Sequence, residues 1–137
     1  EKRFGRIPDP PFDKTNNKSN PPMNKPWSAG CTLTSGTWWK NWKELVFYSV
    51  ASAYEPRNPN NLPICGSCLT VSPPAATADK QVVVMIASKT LGAQLRGTIS
   101  QKQNATNYLE GENDGGSPDT FTKQSVSAGF NDYVLFR

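Results

Sequence analysis

Apolar and polar positions along this chain change period several times, and each change marks an expected element. Trp38, Trp42 and Leu45 are spaced i, i+4, i+7, and Trp39, Trp42 and Val46 are spaced i, i+3, i+7. Both sets predict a turn or two of helix with an apolar face. From Leu45 the pattern becomes LVFYSVASAY, whose β-branched and aromatic residues predict a strand. CLTVS, starting at Cys68, predicts a short strand, and the following SPPAATAD a turn or loop. KQVVVMIASKT, starting at Lys80, is a continuous apolar run and predicts a central strand. LGAQLRGTISQKQNATNYLEG is polar and predicts a long surface excursion with a helical turn, followed by the turn cluster ENDGGSPD. DTFTKQSVS and NDYVLFR alternate apolar with polar, as strands of a half-buried antiparallel sheet do. Residues 1–30 have no apolar period and are broken by prolines, so they are expected to form neither helix nor sheet. Phe4, Ile7, Phe12 and Trp27 are the anchors available if that segment drapes over the domain. The division expected is an irregular segment over residues 1–30 and a single globular domain over residues 31–137.

Three of the four tryptophans fall within five residues, Trp38 to Trp42. A platform for sugars or bases wants its rings flat, separated and surrounded by hydrogen-bonding side chains. Adjacent indoles feeding a strand suit burial instead. The expected core-packing residues are Trp38, Trp42, Val46, Val83 and Met85, with Trp39 alone placed to face outward.

Composition narrows the function classes. The chain has 137 residues, enough for one domain, with 12 Pro and 10 Gly for many connections. Histidine is absent, which removes the commonest general base and metal ligand and excludes Cys-His and Ser-His-Asp nucleophile systems within this chain. An enzyme is therefore the unfavoured class, and no small-molecule substrate is expected. The net charge of +4 comes from singly scattered Lys and Arg, which gives DNA binding weak support. No apolar run is long enough to span a bilayer.

Cys31, Cys65 and Cys68 are the three cysteines. Cys65 and Cys68 have C-x-x-C spacing but follow the turn-rich PRNPNNLP rather than opening a helix, which disfavours redox chemistry. With one further Cys and no His, zinc lacks its ligands. A structural disulfide remains, with Cys65–Cys68 preferred and Cys31 to either one as the alternative, and it implies an oxidising compartment. No cofactor is expected, although Glu112, Asp114 and Asp119, in the acidic loop that begins near Glu110, are weak calcium candidates. The loop does not have the EF-hand register, and a solvated acidic turn is the plainer reading.

The short signatures also occur in a particular order: GRIP, the W-rich stretch leading to VFY, a cysteine loop ending CLTV, KQVVVMIASKTLGAQLRG, NYLEGEN, and a closing DTF and FND. From about Gly5 onward this ordered set resembles the minor pilins and pseudopilins of Gram-negative type IV pilus and type II secretion systems. Val82 to Ile86, Leu91 to Arg96, Asn107 to Asn113 and Phe130 to Asp132 occupy the matching places. The prepilin leader and apolar N-terminal helix typical of that family are missing from this sequence, which is read as a trimmed head. The resemblance implies an α+β fold: a pilin-like antiparallel sheet domain with short helices and long irregular loops, its sheet packed on the missing helix. It implies a non-enzymatic structural subunit of a pilus or pseudopilus, anchored through that helix in the inner membrane, with its head periplasmic or at the cell surface. The partners implied are other pilin or pseudopilin subunits, met through loops 53–68 and 109–119. The alternative is a secreted module binding DNA or polysaccharide through Trp39 and the scattered basic residues. A carboxylate hydrolase using Glu112 is a third and weaker reading.

Overall fold

The computed structural model describes residues 3–7, 41–54, 68–73, 77–117 and 119–137. The chain divides into two compact units, one of Glu1–Arg6 with Leu45–Arg137 and the other of Ile7–Glu44. In the first unit the described residues form two sheets. One has strands β1 (Phe4–Arg6), β2 (Val46–Val50), β5 (Val82–Ile86) and β7 (Tyr133–Phe136), in the order β1-β2-β5-β7 and antiparallel throughout. The other has β3 (Leu69–Ser72), β4 (Ala78–Lys80) and β6 (Thr120–Thr122), in the order β4-β3-β6. A five-residue helix α1 (Ile99–Gln103), helical residues at 41–42 and short 3-10 turns complete the described elements, giving an α+β arrangement.

Several expectations need correction. The first segment is not wholly irregular, because Phe4–Arg6 forms an edge strand whose Phe4, Gly5 and Arg6 lie opposite Ser49, Tyr48 and Phe47. The strand ends before the prolines begin at Pro8, so the proline argument holds only beyond it. SPPAATAD does not remain loop to its end, since β4 starts at Ala78 and pairs antiparallel with β3. The second sheet is mixed rather than antiparallel, because β3 and β6 run parallel with Val71 opposite Phe121. The strand expected from DTFTKQSVS is cut to three residues, and after Thr122 the chain leaves the sheet.

The core lies between the sheets. Phe47, Val83, Met85 and Val134 come from one face of the first sheet, and Leu69, Val71 and Phe121 from the second. Tyr108 and Leu109, from the excursion between β5 and β6, join the same cluster. Val83 and Met85 are buried in this cluster, and Val46 is buried on the opposite face of the first sheet. Trp42 departs from its expected role: it is 50% exposed. The helical spacing that placed it inward breaks down at the 3-10 turn Lys43–Leu45, which turns every three residues rather than every 3.6. Trp38, Trp39, Cys31 and Cys65 lie outside the described residues. Cys68 is buried and disulfide-bonded, and its partner lies outside them too.

β5 is central in its sheet, with β2 and β7 on either side, yet its burial alternates. Val83 and Met85 are buried while Val82, Val84 and Ile86 are only half-buried. The register carries this second face across the sheet in rows. Val46, Ile86 and Tyr133 form one row, and Tyr48, Val84 and Leu135 the next, with Val50 beside Val82. Every large side chain in these rows is aliphatic or tyrosyl, and at β7 Tyr133 is 61% and Leu135 47% exposed.

Candidate functional site: a buried polar clasp

The polar excursion after β5 is held by local capping before it reaches the core. Leu91 N–H donates to Gln94 Oε1 at 3.0 Å, folding the chain back at Gly92, whose φ is +54°. Thr98 opens α1 with a capping box: its hydroxyl accepts from Gln101 N–H at 3.2 Å, and Gln101 Oε1 accepts from Thr98 N–H at 3.0 Å. Asn104 Oδ1 then accepts from Thr106 N–H at 3.1 Å and starts a 3-10 turn. Asn107 crosses back, its Oδ1 accepting from Leu95 N–H and its Nδ2 donating to Gln101 C=O. These bonds settle the backbone of a polar segment that has little apolar surface of its own.

Ala105 packs against the core, and Tyr108 is the first side chain of the excursion to be fully buried in it, at 1% exposure. The guanidinium of Arg6 lies 4.5 Å from its ring centroid and that of Arg96 lies 4.3 Å from it. Arg6 also sits over Phe47 at 5.1 Å, and Phe47 packs on Tyr108 at 5.6 Å. The cations meet the electron-rich ring faces, and their planes cover apolar surface. Each guanidinium also ties down backbone. Arg6 donates to Lys102 C=O, and Arg96 donates to Asn107 C=O at 2.6 Å and Ser88 C=O at 2.7 Å. Burial pulls the Arg96 pKa down, opposed by the nearby Tyr108, Glu110 and Asp132.

The next residues grip the last strand. Glu110 N–H donates to Asp132 Oδ2 at 2.9 Å, and Asn131 N–H donates back to Glu110 Oε2 at 2.9 Å. Glu110 Oε1 accepts from Gln94 Nε2 at 2.9 Å, and Asn131 Nδ2 donates to Lys89 C=O at 2.8 Å. Asn113 is fully buried. Its Oδ1 accepts from Thr122 N–H at 2.8 Å, while its Nδ2 donates to Thr122 C=O at 3.0 Å and to Asp132 Oδ2 at 2.9 Å. The carboxamide thus mimics a peptide group of a strand lying beside β6.

Asp132 is the most perturbed group of the clasp. Burial raises its pKa from 3.8 to about 7; bonds from the Glu110 backbone and the Asn113 amide oppose the rise, and the Glu110 carboxylate adds to it. Three buried oxygens of the cluster, Tyr108 Oη, Asn131 Oδ1 and Asp132 Oδ1, have no hydrogen-bond partner. The arrangement fastens residues 107–113 to β6 and to the start of β7.

The residues singled out from the sequence fall elsewhere. Among the described residues no three or more His, Cys, Asp or Glu gather as metal ligands. Glu112 is exposed, Asp114 Oδ1 accepts from Gly116 N–H at 2.9 Å, and Asp119 pairs with Arg3 at 2.6 Å. Within the stretch expected as a subunit-facing loop, 109–119, Leu109 and Asn113 are buried, while Gly111, Glu112 and Gly116 are exposed. Most of loop 53–68 lies outside the described residues. Sequence reasoning gave Glu110, Asn113 and Asp132 no role in the fold. The available signal was polar residues inside apolar signatures, Tyr-Leu-Glu and Phe-Asn-Asp. No family model, curated protein or solved structure matches the chain.

Proposed function

We propose that this chain is the globular head of a non-enzymatic filament subunit of the minor pilin or pseudopilin kind. The observation that carries the reading is the second face of the first sheet. Val46, Tyr48, Val50, Val82, Val84, Ile86, Tyr133 and Leu135 make it apolar from β2 to β7, and its β7 side is exposed. An antiparallel sheet that faces only water on one side alternates apolar with polar residues. This one is apolar on both faces, which suits a second layer. The occupant that fits is an apolar helix, as the ordered signatures of the sequence imply for a pilin-type subunit. Fully burying a large apolar side chain contributes about 1.5–3 kcal/mol, and Tyr133 and Leu135, each about half exposed, would contribute roughly half of that apiece to holding such a helix. On this reading the head sits at the cell surface or in the periplasm and its partners are like subunits.

Leu135→Glu and Tyr133→Glu test it, because both positions are exposed in the head and the changes spare its core. The isolated head is expected to keep its thermal transition within a few degrees. The full-length protein carrying either change is expected to vanish from sheared filament preparations. Normal incorporation of both variants would overturn the assignment.

A further inference from the structure

The two carboxyl groups of the clasp differ in their surroundings. Both oxygens of Glu110 accept hydrogen bonds, from Gln94 Nε2 and from Asn131 N–H. Asp132 is 4% exposed, and only its Oδ2 is bonded, by Glu110 N–H and Asn113 Nδ2. Its Oδ1 is buried without a donor. An ionised Asp132 would therefore carry a desolvated oxygen beside a second carboxylate. A proton on that oxygen removes the buried charge beside the Glu110 carboxylate and leaves the two bonds to Oδ2 intact.

We propose that Asp132 holds a proton in the closed clasp, so that the junction between residues 107–113 and the start of β7 loosens as rising pH removes it. The charged groups facing it are Glu110 from the excursion, Arg96 from the turn before α1 and, across Tyr108, Arg6 from β1. A guanidinium does not titrate in this range, so Arg96 does not reverse the trend. The raised pKa of Asp132 agrees with the geometry and fixes the sign. Between 3.8 and about 7 the folded chain holds one proton more than the unfolded chain. The contribution to stability is full below the lower value, declines as pH rises through this window and is flat above it. The opening constant of the clasp rises by up to about tenfold per pH unit within the window.

Carboxyl-carbon NMR of the wild-type head reads the Asp132 titration directly, and urea unfolding at pH 5 and pH 8 reads its consequence. The expected results are an Asp132 midpoint at least about two units above an ordinary aspartate and a fall in the urea midpoint from pH 5 to pH 8. Asp132→Asn supplies the neutral, donor-bearing form permanently. It is expected to flatten that fall, with its stability at pH 8 equal to or above wild type. An Asp132 midpoint near 4, or the same pH dependence in Asp132→Asn, would overturn the proposal. If Asp132→Asn does not fold, the wild-type titration decides alone.

Discussion

Asn113→Ala is the sharpest test of how this fold is held. The side chain is fully buried and makes three hydrogen bonds, two to the backbone of Thr122 and one to Asp132. Each is worth about 1 kcal/mol net, and a half-buried backbone N–H left without an acceptor adds a desolvation cost of about 1–3 kcal/mol. Asp132 Oδ2 keeps its bond from Glu110 N–H, so that end is not wholly orphaned. With the bond to Asp132 set aside, the expected loss is about 3–5 kcal/mol, a large fraction of a single domain's stability. Urea unfolding at pH 6 should show a lower midpoint with an unchanged slope, and the thermal midpoint should drop by about 10 °C or more. Asn113→Asp is a near-isosteric companion. It keeps the acceptor for Thr122 N–H, loses both donors and sets a carboxylate against Asp132, so it should cost at least as much at pH 8. A loss below about 1 kcal/mol for Asn113→Ala would refute the view that its amide stands in for a strand.

Two further outcomes follow from the same geometry. Gly115 has φ +89°, and a Cβ there would lie 2.4 Å from Phe4 Cε1, so Gly115→Ala combines backbone strain with displacement of a ring packed on the core. It should destabilise by about 2–4 kcal/mol, and adding Phe4→Ala should cost less than the sum of the two changes, as a double-mutant cycle in urea would show. Arg96→Lys keeps the charge but loses the planar fork that spans Asn107 C=O, Ser88 C=O and the Tyr108 ring. A loss of about 2 kcal/mol in chemical unfolding is expected, and a neutral result would mean that charge alone suffices.

Legibility from the sequence depended on the range of the interactions that formed each element. β2, β3, β5 and β7 were readable because their own side chains carry apolar, β-branched and aromatic patterns, and the capped turn at Thr98 draws on neighbours a few residues away. β1 and β4 have three residues each and no period to detect; pairing with β2 and β3 makes them strands. The inward reading of Trp42 failed because helical spacing shows which residues share a face and not which face is covered, and Trp42, although helical, is exposed. The candidate carboxylates Glu112, Asp114 and Asp119 were legible as an acidic cluster, but the partners of two of them are set by Arg3 and Gly116.

By itself the sequence determined the strand-forming segments other than β1 and β4, the absence of histidine chemistry and the continuous apolar run of β5. Only the tertiary structure decided which face of that run is buried, because burial depends on what lies against a sheet and not on the residues that compose it. It alone paired Glu110 with Asn131 and Asp132, some twenty positions apart, and set Asn113 against Thr122. Contacts between distant segments leave no local period in a sequence, yet they bury Asp132 and so raise its pKa.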